Sequence, residues 1–193
     1  MPLVLASASP RRRDLLTEAG FVFDVIPAEA DERRREQESA AQYVQRVAVE
    51  KARIVASSHP AAVVLAADTE VVLDDTVFGK PADRADAARM LRLLEGRAHD
   101  VLTAFAIVGA GREYTALVGA RVWFRPLTDA DILGYVGTPE PFDKAGAYAI
   151  QGRARGFIDR IEGAEATVVG LPVAEVAEAL QRFGVTPLAA NRD

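Results

Sequence analysis

The sequence predicts an α/β fold, and three features carry that prediction. Apolar runs at 2–6 and 63–67 are short and bounded by polar residues, as buried strands are. Helical segments alternate with them, marked by apolar residues three and four apart. Two long strand-like runs, 97–108 and 114–124, then follow one another across Gly109-Ala110-Gly111 and pair antiparallel. A chain of 193 residues suits one domain, or two lobes around a shared sheet, and can bury a sizeable core.

The first strand is followed by Ser7-Ala8-Ser9-Pro10-Arg11-Arg12-Arg13. Ser9 suits an N-cap and Pro10 the first helical turn, with Gly20 as the stop. Three arginines at the positive end of a helix dipole are unfavourable by up to about 1 kcal/mol each. A compensating anion, such as a phosphate on the free N–H groups, would account for them; the alternative is a solvated basic turn. Residues 21–26 are strand-like, and the charged stretch 33–38 reads as a solvated loop. Ser39 caps a helix to about Ser57, with Val44, Val47, Ala48 and Val55 on its buried stripe. Lys51 falls on that stripe, so its ammonium either snorkels to water or meets an anion.

The run 63–67 stops at Asp68-Thr69 in this reading, and Asp74-Asp75 turn the chain into Val77-Phe78 and Gly79-Lys80-Pro81. A carboxylate ending a buried strand marks either the point where the chain meets water or a site. A helix over 83–96 follows, then the two long strands, then a short helix from Thr128 through Tyr135. Residues 142–152 are polar and glycine-punctuated, hence loop-rich, and 156–161 form a strand. The last helix turns Val173, Val176, Ala177, Leu180 and Phe183 inward and ends at Gly184, and 189–193 should fray.

A net charge of −5 argues against nonspecific nucleic-acid binding, which needs a basic surface. There is no cysteine, hence no disulfide or thiolate chemistry, and His59 and His99 are too few for a histidine zinc site. No signal peptide or membrane span is legible, so the expected compartment is the cytoplasm, with no membrane partner. GxGxxG, GxxxxGK[ST] and GxSxG patterns are absent, which excludes the usual dinucleotide, P-loop and serine-hydrolase readings. The remaining charges are cations Arg11, Arg12, Lys51, Lys80 and Lys144 with carboxylates Glu32, Asp68 and Asp143. Such a set suits a metal-bound polyphosphate, with Lys and Arg on phosphate oxygens and carboxylates on Mg²⁺ or Mn²⁺.

Ser7-Ala8-Ser9-Pro10-Arg11-Arg12, Glu50-Lys51-Ala52, Ala67-Asp68-Thr69, Gly79-Lys80-Pro81, His99-Asp100-Val101-Leu102-Thr103-Ala104, the stretch from Asp143 to Gly152, and Val168-Val169-Gly170-Leu171-Pro172 occur in this order. Together they resemble the Maf family of nucleoside triphosphate pyrophosphatases, over nearly the whole chain. The resemblance implies a single Maf-like domain over 1–193, an elongated mixed sheet with flanking helices. Its two lobes would lie around a central cleft, in a fold similar to inosine triphosphate pyrophosphatases. It implies metal-dependent hydrolysis of a nucleoside triphosphate to the monophosphate and pyrophosphate, and a possible homodimer.

By resemblance, Asp68 is the proton acceptor and, with Glu32, a metal carboxylate. Ser7, Glu32, Lys51 and Lys80 fall at positions lining the polyphosphate and metal site, and the charge set adds Arg11 and Lys144 as expected phosphate contacts. Arg12, Thr69 and Gln151 match the positions tied to substrate choice in the dTTP/UTP branch, whereas the 7-methyl-GTP branch carries glutamate where this chain has Gln151. An amide can donate to O4 and accept from N3–H of uracil or thymine, although a flipped amide serves cytosine as well. Glu70 stands where an apolar residue is expected, and either adds a carboxylate near the metal or faces outward. The loop 163–167 is less polar than in the family. The rival expectations are a non-catalytic nucleotide-binding regulator linked to cell division and an inosine or xanthosine triphosphate pyrophosphatase.

Overall fold

The computed structural model describes residues 1–188; the fraying expected of 189–193 lies outside them. Thirteen elements follow in order: β1 (Leu3–Leu5), α1 (Pro10–Glu18), β2 (Asp24–Val25), α2 (Ala40–Ser58), β3 (Val63–Leu73), β4 (Thr76–Phe78), α3 (Arg84–Leu94), β5 (Ala98–Gly109), β6 (Arg112–Phe124), α4 (Asp129–Val136), β7 (Ile158–Glu162), α5 (Glu165–Val169) and α6 (Val173–Arg182). The strands form one mixed sheet of order β2-β1-β3-β5-β6-β7, with β4 paired to β3. β1 runs parallel to both β2 and β3, while β3–β4 and β6–β7 are antiparallel. This is the mixed α/β class expected. No helix among the described residues is long and apolar enough to cross a membrane.

The chain divides into two compact units. The first comprises Met1–Asp68, Thr103–Val118 and the described residues from Gly170 onward. Its core packs Leu3, Leu5, Val63 and Leu65 against Leu16 of α1 and Val176 and Leu180 of α6. Odd residues of β3 face this cluster, so Val64, Ala66 and Asp68 point to the opposite side, where Lys51 of α2 reaches Asp68. The second unit comprises Thr69–Leu102 and Gly119–Val169. Its core joins Val71 and Leu73 of β3 to Leu91 and Leu94 of α3, Ile132 of α4, and Tyr148 and Phe157.

The helix ends follow their caps. The side chains of Ser9, Ser39, Asp83 and Thr128 each accept an N–H three residues on, and those of Ser39 and Thr128 complete reciprocal capping boxes. Asp74 and Asp75, with φ of 47° and 64°, make the two-residue turn that matches the twist of the β3–β4 hairpin.

Three expectations are corrected, the open alternative at Glu70 is decided, and one short helix is added. β3 does not stop at Asp68 but runs through it to Leu73, because Lys51 compensates the carboxylate and the chain need not turn to water there. Only Asp24–Val25 of the 21–26 run is a strand, since its pairing with β1 covers two residues. Glu70 is buried, not turned outward. The helix α5 is a single short turn, too brief to leave a periodic signal. On α6, Val173 and Ala177 are half-buried while Ala179 takes a core position.

In the second unit His99 is 2 % exposed, with Nε2 2.8 Å from the Tyr148 hydroxyl and its ring edge-on to Phe124 and Tyr148. Desolvation lowers its pKa from 6.5 to about 4. The unfolded chain takes up this proton as pH falls below 6.5, whereas the folded chain resists until about 4. The stability at stake is fully present above 6.5 and is lost between those values, on the order of 3 kcal/mol. Urea midpoints at pH 7 and pH 4.5 should therefore diverge less in His99→Gln than in the parent protein. Equal divergence would mean that His99 is not the group responsible.

Candidate active site

In the first unit, β1 ends at Leu5 and the chain passes through Ser7 into α1. Ser7 Oγ accepts from the Ser9 amide at 3.2 Å. Arg11 and Arg12 stand half-buried in the first turn of α1. The Arg12 guanidinium donates to the Gly170 carbonyl at 2.8 Å, the Ala67 carbonyl at 2.7 Å and Ser7 Oγ at 3.5 Å. Arg12 thus ties α1 to β3 one residue before Asp68 and to the segment that enters α6. The unfavourable charge at the helix start is offset at least in part by these carbonyl dipoles.

Asp68 lies beyond the stretch of β3 that pairs with β1, where parallel strands commonly present ligand-binding groups. Lys51 Nζ bridges Asp68 Oδ1 at 2.8 Å and Glu32 Oε1 at 2.6 Å. The Lys51 and Asp68 side chains are 10 % and 11 % exposed, while that of Glu32 is 49 % exposed. Lys51 therefore does not snorkel; it meets two anions. Asp68 Oδ2 is buried and has no hydrogen-bond partner among the described residues.

The loop carrying Glu32 is less free than its composition suggests. The Tyr43 hydroxyl donates to the Glu32 carbonyl at 2.7 Å. Arg46 donates to the carbonyls of Asp31 and Arg33 and pairs with Glu38 and Glu50. Most of 33–38 is exposed, as expected of a solvated loop, but the Glu38 side chain is only 9 % exposed because Arg46 draws it in. That contact holds the Glu38 carboxyl down at about 2. Sequence reasoning missed Tyr43 and Arg46. The one available signal, Arg46 four residues before Glu50, resembles an ordinary surface pair.

The second unit holds Thr69, Lys80, Lys144 and Gln151. Thr69 is half-buried on β3, while Lys80 and Gln151 are exposed. The Gly146 amide donates to the Gly79 carbonyl, joining the loop before Gln151 to the segment bearing Lys80. The Tyr135 hydroxyl accepts from the Ala149 amide at 3.2 Å and donates to Glu140 Oε1 at 3.0 Å. Glu140 Oε2 in turn accepts from the Arg153 amide. A Cβ at Gly152 would stand 2.0 Å from Glu140 Oε1, so only glycine fits there without displacing that carboxylate. Lys144 donates to the Glu140 carbonyl at 2.9 Å and to the Asp143 carboxylate. Its ammonium braces this loop.

No cluster of three or more His, Cys, Asp or Glu side chains among the described residues could cage a metal. Glu32 and Asp68 offer a carboxylate pair, and Asp68 Oδ2 is an orphaned buried oxygen. Those donors fit a Mg²⁺-like ion, which takes one or two carboxylates and completes its shell with water and phosphate oxygens.

A family model described as Maf-like protein matches residues 2–183. The chain belongs to the Maf family. A dTTP/UTP pyrophosphatase from Anaeromyxobacter dehalogenans strain 2CP-C is 53 % identical over 186 residues, 94 % of each chain. One from Salmonella typhimurium is 50 % identical over 182 residues, 94 % of this chain and 92 % of the relative. A solved Staphylococcus aureus Ham1 protein aligns over 95 % of this chain and 100 % of its own, at TM-score 0.49 and 12 % identity. Of the motif residues singled out in the sequence, Ser7, Arg12, Lys51 and Asp68 lie in the first unit, and Lys80, His99 and the loop to Gln151 in the second.

Proposed function

We propose that the chain is a nucleoside triphosphate pyrophosphatase that hydrolyses dTTP and UTP to the monophosphate and pyrophosphate. The observation that carries the reading is the Asp68 carboxylate, fixed through Oδ1 by Lys51 and left with an unpartnered Oδ2. The relatives named above support the substrate class.

Water attacks the α-phosphorus, the bond from that phosphorus to the α,β-bridging oxygen breaks, and pyrophosphate leaves. A bound Mg²⁺ or Mn²⁺ would supply charge neutralisation of the phosphate oxygens and of the leaving group. Asp68 Oδ2 orients the attacking water and takes its proton, while Lys51 holds the other oxygen still. Glu32 and Asp68 would hold the ion, and Arg11, in the same unit, would face phosphate oxygens. Gln151, whose amide is exposed, is the proposed reader of the base, and Thr69 and Arg12 are the other proposed specificity positions.

A nucleotide panel with Mg²⁺ or Mn²⁺ tests the reaction and the base reader together. Pyrophosphate should appear from dTTP and UTP, whereas orthophosphate as the product would overturn the assignment. Gln151→Glu should lower kcat/KM for both by about 10- to 100-fold, the scale of one hydrogen bond lost to a misplaced charge. An unchanged preference across the panel would remove Gln151 from base recognition.

A further inference from the structure

Glu32 occupies an unusual stretch of backbone. Asp31 Oδ1 accepts from the Arg33 amide at 3.1 Å, closing a side-chain turn around Glu32. The carbonyls of Asp31, Glu32 and Arg33 then accept, in succession, from Arg46 Nη1 at 3.1 Å, the Tyr43 hydroxyl at 2.7 Å and Arg46 Nη2 at 3.0 Å. Three consecutive carbonyls are therefore held by two side chains that lie three residues apart on α2.

Arg46 is itself fixed. Nε donates to Glu38 Oε1 at 2.7 Å, Nη1 also to Glu50 Oε2 at 3.1 Å, and Nη2 also to Glu38 Oε2 at 3.0 Å. With the two carbonyls this engages all five guanidinium N–H groups. The guanidinium carbon stands 5.5 Å from the centre of the Tyr43 ring. The Arg46 side chain is 12 % exposed. No lysine could reproduce this fork. The Glu32 side chain, by contrast, is half exposed on a loop, and left alone it would have to be ordered each time it bound an ion.

We propose that Tyr43 and Arg46 are positioning residues for Glu32, clamping the three carbonyls around it so that its carboxylate is preset for a divalent cation. This rests on the reading of Glu32 as a metal carboxylate. The clamp acts through the backbone of residues 31–33. Lys51, five residues beyond Arg46 on α2, meets the Glu32 carboxylate itself at 2.6 Å.

The test is binding of Mn²⁺ alone to the full chain, followed by the electron paramagnetic resonance signal of free Mn²⁺, with urea midpoints measured in parallel. Tyr43→Phe removes one hydroxyl, and Arg46→Lys keeps the charge but not the fork. Each should weaken Mn²⁺ about 10-fold, the scale for groups that orient a ligand. In the Glu32→Gln background neither change should weaken it further. Equal losses in both backgrounds would overturn the clamp, since the residues would then act other than through Glu32. Full Mn²⁺ affinity in Arg46→Lys, with affinity lost in Glu32→Gln, would overturn it while leaving the metal role of Glu32 intact. Full affinity in Glu32→Gln would reject that role and the clamp with it.

Discussion

Asp68→Asn is expected to lower kcat for dTTP about 10³-fold while the chain stays folded. The carboxamide has nearly the shape of the carboxylate and can still accept a hydrogen bond from Lys51 Nζ through its oxygen. Lys51 also retains Glu32, 2.6 Å away, so no buried ammonium is stranded. What disappears is the ability of the second oxygen to take a proton from water. Loss of a general base commonly costs 10²- to 10⁴-fold, and a factor of 10³ corresponds to about 4 kcal/mol of barrier. Pyrophosphate release measures the loss, and the urea midpoint should fall only slightly. Turnover within about threefold of the parent protein would sink the assignment of Asp68 as the base.

Lys51→Met should have the largest effect on stability. The change removes the cation that bridges Asp68 and Glu32 and leaves the Asp68 side chain, 11 % exposed, without its ammonium. Breaking a buried pair from one side typically costs about 3–5 kcal/mol, because the remaining charge is neither solvated nor compensated. Glu32, at 49 % exposure, can turn to water and adds little to the cost. The double change Lys51→Met with Asp68→Leu should recover most of the loss, since an apolar pair of similar volume is often as stable as the ion pair it replaces. Urea unfolding of the three variants reads the difference. The double variant should be folded and inactive, which separates the pair's part in stability from its part in chemistry. A single variant as stable as the parent would show that water solvates Asp68 far better than its burial suggests.

The helices other than α5 and the β3–β4 hairpin were legible because each carries a local signal: a cap, a periodic stripe, a turn dipeptide. Lys51 was legible as a question. An ammonium on the apolar face of α2 required either a path to water or an anion, and the structure supplies two anions. The continuity of β3 was not legible, because an aspartate within an apolar run reads as a stop until the lysine 17 positions earlier is known to reach it. The role of Arg46 was hidden for a similar reason. Its carbonyl acceptors lie 13 and 15 residues away, in a loop with no periodicity to reveal which turn of α2 it contacts. Lys144 was read by its charge, whereas the structure shows an ammonium bracing the Glu140 carbonyl.

The division of the chain has a consequence for how the protein comes into being. The unit that holds Asp68, Lys51 and Glu32 is drawn from three separated stretches, and its core includes Leu171, Val176 and Leu180 near the far end of the chain. Domains fold from the N-terminus as they leave the ribosome only when their contacts are already synthesised. Here the three charged residues, on a loop, on α2 and on β3, are synthesised well before α6, whose apolar residues cover the other face of β3. The order of synthesis is therefore not the order of assembly, and no nascent chain lacking α6 carries the finished site.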